Sequence, residues 1–243
     1  MTLVFEECRY SYRPWRRPAL DGMSLVLPEG FTILLGPNGA GKSTMLKLAA
    51  AVSAPQRGTV SFRGVDSKKK EYRRLISWMP QNITPVAGLT AREYVAYVGW
   101  LKGMSKADAW DRAVRALERV ELQQRMDVKT HQLSGGQMRR VGVAAALVHD
   151  AGLLLLDEPT AGMDPRQRRV FRDVVRSLSG EVQVVMSTHD IADLAEEADT
   201  VTVVNDGRIL KSSSVDDFMK AASPDSAPGR IAESAYSAVL GAY

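Results

Sequence analysis

A glycine-rich segment, GPNGAGKST at Gly36 to Thr44, constrains the fold of this chain more than any other feature. It follows the short apolar run FTILLG and precedes a helix-favouring run. A loop of this composition between a strand and a helix wraps phosphate groups with its backbone N–H groups. A simple glycine-rich turn is the alternative, but the strand-loop-helix context favours nucleotide binding. At this point both ATP and GTP fit the prediction.

The loop offers both side-chain and backbone contacts to a nucleotide. We expect Lys42 to bridge the β- and γ-phosphates, Ser43 to give its hydroxyl to Mg²⁺, and Thr44 to bind an α-phosphate oxygen. Backbone contacts are expected from the remaining residues, which are Gly36, Pro37, Asn38, Gly39, Ala40 and Gly41.

Two adjacent acids, Asp157 and Glu158, end a second apolar run, LLLLDEPTAGMD. Buried strands of an α/β sheet open toward ligand at their carboxyl ends. We expect Asp157 to hold Mg²⁺ through water and Glu158 to polarise or deprotonate an attacking water. The alternative is that both acids merely begin the turn made by Pro159, and the phosphate loop upstream favours the catalytic interpretation.

Two further polar residues follow apolar runs. His189 comes after VQVVMST and precedes an acidic segment that we expect to be helical. Gln81 comes after LISWMP. Taken alone, such a histidine is more often structural than functional, and the glutamine is an ordinary polar loop residue.

The segment LSGGQ, Leu133 to Gln137, begins a helix in an unusual way. Ser134 and Gln137 fit a capping box, which explains two of the five residues. Gly135 and Gly136 each cost about 1 kcal/mol relative to alanine in a helix. We infer that something other than local stability keeps side chains away from this backbone.

The order of elements predicts a doubly wound α/β sheet, because short apolar runs bounded by Gly and Pro alternate with longer periodic segments. Near the N-terminus, LVFEE and MSLVLPEG predict antiparallel strands, and TVTVVNDGRILKSS predicts a hairpin. Two helices without an intervening strand predict a helical subdomain inserted at about 82–132. We expect one domain over 1–222 and a tail at 223–243 that holds a short helix.

Composition excludes several classes of protein. The formal net charge of +4 is far from that of a dedicated nucleic-acid binder, so we expect no nucleic-acid partner. The single Cys8 permits neither an internal disulfide nor a zinc cluster. No apolar stretch approaches the roughly 20 residues of a membrane helix, and no signal-peptide pattern is recognisable. Any membrane role is therefore expected to come through a partner.

In chain order, the phosphate loop, Gln81, LSGGQ, LLLLDE, AGMD and His189 resemble the nucleotide-binding subunit of ATP-binding cassette (ABC) transporters, in particular bacterial exporter-type proteins. The resemblance covers essentially Leu3 to Met219, and it implies ATP rather than GTP. It also implies a P-loop NTPase fold of the ABC type. That fold has an antiparallel β subdomain, a mainly parallel core sheet and an inserted helical subdomain.

The resemblance implies a role for each matching residue. Gln81 corresponds to a glutamine that touches Mg²⁺ and the attacking water. His189 resembles the switch histidine on the γ-phosphate, and Asp164 resembles an acid that crosses to the partner subunit. An aromatic residue ahead of the loop usually stacks on the adenine. Of Tyr10, Tyr12 and Trp15, we prefer Tyr12 for this contact.

By the same resemblance, LSGGQ completes the ATP site of a second subunit. Its glycine backbone, Gly135 and Gly136, lets the γ-phosphate approach, and Ser134 donates a hydrogen bond at the helix start that continues through Gln137. Two ATP molecules would then lie in a head-to-tail dimer with a second copy or a paralogue.

These observations predict an ATPase subunit that drives a separate transmembrane permease, in the export direction, from the cytoplasmic face of the cell membrane. The helix containing YVAYVGWL, Tyr94 to Leu101, is apolar all round and is the expected docking surface for the permease. The alternative is that both of its faces are buried inside the subdomain. The rival function is a soluble ABC ATPase of DNA repair or translation. A regulator that does not hydrolyse ATP would be expected to lack Glu158 or His189.

Overall fold

The computed structural model describes residues 2–191 and 198–242, and the helix expected after His189 falls on residues 192–197, outside that part of the chain. Within the described residues the strands are β1 Leu3–Tyr10, β2 Leu20–Leu27, β3 Phe31–Leu35, β4 Arg57–Phe62, β5 Val65–Asp66, β6 Ile76–Met79, β7 Leu153–Asp157, β8 Gln183–Thr188, β9 Thr200–Asn205 and β10 Arg208–Ser214. The α-helices are α1 Lys42–Ala49, α2 Tyr72–Leu75, α3 Ala91–Leu101, α4 Lys106–Arg119, α5 Gly135–Leu147, α6 Pro165–Leu178, α7 Val215–Met219 and α8 Ile231–Gly241.

The chain divides into two compact units. The first comprises Met1–Arg73 and Gln183–Tyr243, and the second comprises Arg74–Val182. The segment at 82–132, where we expected a helical subdomain, lies inside the second unit.

Parallel strands form the centre of the first unit, where β3 lies between β8 and β9. Every residue of β3 and of β8 is buried, as expected for parallel strands covered on both faces. Leu35 lies opposite Thr188, so the phosphate loop and His189 begin at the same end of this strand pair.

The antiparallel parts of the first unit are also as predicted. A four-stranded sheet has the order β2-β1-β4-β5, and β9 and β10 form a hairpin. Asp206 and Gly207 connect the hairpin strands with φ values of 49° and 75°. Positive φ at both turn residues matches the right-handed twist of the strands, which explains the Asp-Gly pair.

The second unit contains the parallel pair β6 and β7, together with the helices α3, α4, α5 and α6. Thr90 and Glu93 form a complete capping box at the start of α3. Arg140 of α5 donates to the carbonyl oxygens of Val120 (3.1 Å) and Glu121 (3.3 Å), directly after α4. Terminal carbonyls of a helix lack partners within the helix, so this arginine ties the end of α4 to α5.

The two faces of α3 differ in exposure. Ala91, Val95, Ala96 and Gly99 are buried. On the other face Tyr97, Trp100 and Leu101 are 45%, 48% and 61% exposed. The alternative in which both faces of this helix are buried is therefore wrong for this chain.

A buried histidine, His149, lies between α5 and β7. Its Nε2 is 3.4 Å from the carbonyl oxygen of Ile76, and the same oxygen accepts a hydrogen bond from Lys102 Nζ at 3.2 Å. Burial, and then the positive charge of Lys102, lower the pKa of His149 from 6.5 to about 4. This side chain is therefore neutral in the folded protein at neutral pH.

The depressed pKa of His149 predicts a specific loss of stability in acid. Between pH 6.5 and 4 the unfolded chain binds more protons than the folded chain, so the free energy of unfolding falls as pH falls through this window. We expect His149→Gln to weaken this dependence by about 1–3 kcal/mol, because the amide still donates to Ile76 but does not titrate. Urea unfolding of both proteins across the window measures it, and equal slopes would contradict the assignment.

Candidate functional site

The phosphate loop adopts a conformation that requires its glycines. Gly39 and Gly41 have φ values of 84° and 107°, which are costly for other residues. A Cβ atom on Gly36 would lie 2.1 Å from the carbonyl oxygen of Val204, so this position has no room for a side chain. Gly41 caps α1, and the loop therefore leads directly into a helix N-terminus with its positive dipole end.

The lysine of the loop is held inside it. Lys42 is 4% exposed, and its Nζ donates to the carbonyl oxygens of Gly36 (2.7 Å) and Pro37 (3.0 Å). Thr44 is also buried and Ser43 is half-buried. A buried ammonium group, a helix start and glycine amides together provide the positive potential that a polyphosphate requires.

Tyr12 contacts the helix that follows the loop. Its hydroxyl lies 3.0 Å from Thr44 Oγ1, and the residue is 57% exposed. The hydroxyl of Tyr10 instead donates to Ser53 at 3.4 Å, and Trp15 is 93% exposed. Of the three aromatic candidates, Tyr12 thus combines a bond to a loop residue with an accessible ring.

Gln81 and Glu158 meet in the second unit because of the strand register. Met79 of β6 lies opposite Leu156 of β7, and two residues further along Gln81 Nε2 donates to Glu158 Oε2 at 3.3 Å. Glu158 has a φ of 44°, which is uncommon for a residue with a side chain. Such strain costs about 1–3 kcal/mol and is often found at functional sites. The structure therefore brings together two of the three predicted catalytic residues.

The predicted Mg²⁺ ligands are all oxygen donors, which suit this ion. Asp157 is 5% exposed at the end of β7, and a buried carboxylate requires compensation by a cation or by hydrogen bonds. In the described part of the chain, no group of three or more acidic, histidine or cysteine residues is arranged to hold a metal ion.

The LSGGQ segment forms the predicted capping box. Ser134 Oγ accepts the N–H of Gln137 (3.2 Å), and Gln137 Oε1 accepts the N–H of Ser134 (3.0 Å). The two glycines between them differ. A Cβ atom on Gly136 would meet Gln167 Oε1 at 3.0 Å, whereas one on Gly135 would have no neighbour within 4 Å. Packing within the described chain therefore explains Gly136 in part and does not explain Gly135.

Asp164 lies at the start of α6, where its Oδ1 accepts the N–H of Gln167 at 2.8 Å. Two cavities of about 530 and 570 Å³ flank this region of the second unit. Ser134, Gln137 and Asp164 line the first cavity. Gln81, Gly135 and Gly136 line the second, so Gln81 shares a cavity with the glycines of LSGGQ, which we call the signature segment.

The predicted residues thus form one group in each unit. The first unit holds the phosphate loop, Tyr12 and His189, which is exposed directly after β8. The second unit holds Gln81, Asp157, Glu158, Asp164 and the LSGGQ segment.

Sequence reasoning missed Gln167 and Arg140, which also line the first cavity. Gln167 stands three residues after Asp164, and its backbone N–H donates to the carboxylate of that helix cap. This spacing is the signal that could have drawn attention to Gln167. Arg140 had no such signal, because its partners at Val120 and Glu121 are distant in sequence.

Comparison with known proteins identifies the family. The sequence profile described as ABC transporter matches residues 20–161, more than half of the chain. The ABC transporter ATP-binding protein YxlF of Bacillus subtilis is 37% identical over 208 residues, which cover 85% of this chain and 69% of that protein. The daunorubicin/doxorubicin resistance ATP-binding protein DrrA of Streptomyces peucetius is 38% identical over 79% of this chain, and the match spans 59% of DrrA.

Solved structures agree with the sequence relatives. A dimeric ABC transporter cassette, MJ0796, has a TM-score of 0.77 at 28% identity, with 88% of this chain and 98% of that chain covered. The same cassette is known in a post-hydrolysis state bound to ADP and Pi. The cbiO1 protein of Clostridium perfringens, part of the cbiONQ complex, has a TM-score of 0.79 at 27% identity over 90% of each chain. With its phosphate loop, its Gln81–Glu158 pair and its LSGGQ capping box, the chain belongs to the ABC transporter family as an ATP-binding ATPase.

Proposed function

We propose that this chain hydrolyses ATP to drive a separate transmembrane permease in the export direction. The observation that carries the hydrolytic part is the hydrogen bond between Gln81 and Glu158 at the ends of two paired strands. The transport part is supported by the relative YxlF, which is named as an ABC transporter ATP-binding protein.

ATP binding is assigned to the first unit. The loop from Gly36 to Thr44 receives the phosphates, with Lys42 supplying the charge at the β- and γ-phosphates. Thr44 binds an α-phosphate oxygen. The exposed ring of Tyr12 stacks on the adenine, a contact of the kind worth about 1–3 kcal/mol per base.

Hydrolysis is assigned to Glu158 as general base. Its carboxylate takes a proton from water as the water oxygen attacks the γ-phosphorus, and the bond between that phosphorus and the β–γ bridging oxygen breaks. Gln81 orients the carboxylate and the water, and His189 contacts the γ-phosphate. When Mg²⁺ is bound, with Ser43, Gln81 and Asp157 as its protein contacts, it neutralises charge that develops on the phosphates.

The signature residues act on the ATP of a second subunit. Gly135 has open space where a side chain would lie and a φ that other residues can adopt, so neither packing nor backbone conformation in the described chain requires a glycine there. A phosphate of the ATP bound to another chain, lying close to Gly135, would explain why this position has no side chain. The Ser134 hydroxyl accepts the Gln137 N–H, and its hydrogen can be donated to that phosphate.

The second subunit is a further copy of this chain or a paralogue. Because one chain carries both the phosphate loop and the signature segment, two copies can form two equivalent sites about a twofold axis. In this arrangement Asp164, exposed at the start of α6, faces the partner.

A permease docks on the exposed face of α3. Tyr97, Trp100 and Leu101 form an apolar surface there, and Val86 in the loop after Gln81 is 39% exposed. Exposed apolar groups of this kind mark interaction sites, and the loop offers a direct connection to the catalytic glutamine. In the described part of the chain, none of the helices has the length and apolar character to cross a membrane. We place the chain at the cytoplasmic face of the cell membrane, bound through the permease.

The direction of transport is proposed from the relatives' names. One relative is a drug-resistance protein, and another, from Burkholderia lata, is a Nod factor export protein at 36% identity. Sulfate/thiosulfate import proteins of mycobacteria are equally similar, at 37% identity, so identity alone does not separate the two directions. The names of YxlF, of the Nod factor protein and of the sulfate/thiosulfate proteins refer to transport, import or export, which disfavours a soluble role in DNA repair or translation.

Glu158→Gln should reduce ATP turnover by about 100-fold or more, because the amide accepts no proton from water. The affinity for ATP should stay unchanged, and an ATP-bound dimer should accumulate. Steady-state phosphate release and size-exclusion chromatography with light scattering measure both effects. Glu118→Gln, at an exposed position on α4, is the matched control and should behave as the wild type. Wild-type turnover in Glu158→Gln would refute the assignment.

Mixing two inactive variants tests action across the dimer. Lys42→Ala damages the phosphate loop and Ser134→Arg damages the signature, so a mixed dimer retains one site with both halves intact. At equal amounts, with free exchange and independent sites, activity should recover to about a quarter of the wild-type value.

The control for this mixture pairs Lys42→Ala with Glu158→Gln. We propose that Lys42 and Glu158 of one chain act on the same ATP. Every site of every possible dimer therefore contains one of the two substitutions, and no activity should return. Recovery in the control, or none in the first mixture, would contradict assembly from two chains.

Single cysteines at Val86, Ala87 and Tyr97, in a Cys8→Ser background, should crosslink to a membrane protein in native vesicles. A cysteine at Val52, which is 57% exposed in the first unit, serves as the control and should not crosslink. If all three react freely with a water-soluble maleimide while the permease is present, and none crosslinks, the surface on α3 is not the docking site.

A further inference from the structure

The turn of the β9–β10 hairpin supports the phosphate loop from outside the strand that carries it. β9 runs parallel to β3, with Val203 opposite Leu35, so the hairpin turn comes out beside the start of the loop. The N–H of Gly207 donates to the carbonyl oxygen of Ala40 at 2.9 Å. A Cβ atom on Gly36 would collide with the carbonyl oxygen of Val204. The hairpin therefore touches the loop both at its first residue, Gly36, and at its middle residue, Ala40.

A third backbone segment meets the same place. A Cβ atom on Gly207 would lie 2.5 Å from the carbonyl oxygen of Ala19, and one on Gly41 would lie 3.0 Å from that oxygen. Ala19 is itself fixed, because its N–H donates to the carbonyl oxygen of Tyr10 at 2.8 Å. Backbone oxygens held in this way move less easily than the end of a flexible side chain. The loop, the hairpin turn and the β1–β2 connection thus form a junction without room for a side chain.

The junction joins the two segments that carry the proposed nucleotide contacts. Ala19 belongs to the connection that also carries Tyr12, the residue assigned to the adenine. Ala40 and Gly41 belong to the loop assigned to the phosphates. Any displacement of the turn would change the spacing between these two sets of contacts.

Turn geometry alone does not account for Gly207. Its φ of 75° favours glycine, but Gly22 has a similar φ of 70°, and a Cβ atom on Gly22 would have no neighbour within 4 Å. Both glycines have a positive φ, but only at Gly207 would a Cβ atom collide with a neighbouring backbone oxygen. Gly22→Ala is therefore a matched control for Gly207→Ala.

We propose that Gly207 is a positioning residue for the nucleotide site. It does not touch the nucleotide. It holds the phosphate loop against the Ala19 connection and so sets the distance between the phosphate contacts and Tyr12. This inference rests on the proposed function of both segments in binding ATP.

Isothermal titration with Mg-ATP tests the proposal on the full chain, at a temperature well below the melting point of each variant. Gly207→Ala should raise the Kd for ATP about tenfold or more, because a small misplacement of a binding loop has large effects. Gly22→Ala should stay within about twofold of the wild type, although both variants carry the same backbone strain. Equal Kd values for the two variants would overturn this inference alone, whereas a wild type that does not bind ATP would overturn the proposed function as well.

Inserting one glycine between Asp206 and Gly207 provides a second variant should Gly207→Ala not fold. Three-residue hairpin loops are common, so the hairpin persists while the N–H that reaches Ala40 is moved. The same loss of ATP affinity is expected. Wild-type affinity in this variant would overturn the proposal.

A double-mutant cycle tests the link to the adenine end. In the wild-type background Tyr12→Ala should raise the Kd about fivefold or more. In the Gly207→Ala or insertion background it should have less than half of that effect, because the ring is no longer at the right distance. Equal effects in both backgrounds would show that the turn does not set the spacing, since independent sites contribute additively.

Discussion

Parallel pairing of buried strands decides which residues of this chain can act together. Neighbouring parallel strands end at the same edge, and their register fixes which residues after the strands lie opposite each other. In the second unit the pairing of Met79 with Leu156 leads to the hydrogen bond between Gln81 and Glu158. In the first unit the pairing of Leu35 with Thr188 starts the phosphate loop and His189 at one end of the strand pair. These registers place the side chains to which the chemistry of the chain is assigned.

Glycines occupy several positions near the proposed site, and the reasons for them differ. Gly207 occupies a turn of positive φ and also presses against the backbone of Ala19. Gly136 lies under the side chain of Gln167, which is a contact within the same unit. Gly135 has neither a turn nor a neighbour to explain it, so we assign its reason to a nucleotide held by another chain. Glycine thus serves both folding and packing in the described chain, and we propose that at Gly135 it also serves assembly.

Sequence was sufficient for features encoded over short distances. The buried strands, the Asp206–Gly207 hairpin turn and the Ser134–Gln137 capping box all depend on residues close in the chain, and the structure confirms them. The hydrogen bond from Gly207 to Ala40 joins segments far apart in sequence, and no local sequence pattern predicts it. The sequence likewise did not predict whether Tyr97 and Trp100 are exposed, because a helix that is apolar all round can be buried on both faces or bind a partner. Tertiary packing decides such cases.

We propose that each ATP site is completed by a second chain, and the dependence of specific ATPase activity on protein concentration tests whether a further copy of this chain can supply it. If two chains form each site, activity per chain should rise in proportion to concentration while the protein is mostly monomeric, and then level off as dimers predominate. Sedimentation velocity on the same samples gives the monomer fraction. A constant activity per chain, down to concentrations at which only monomer is present, would show that one chain forms a complete site.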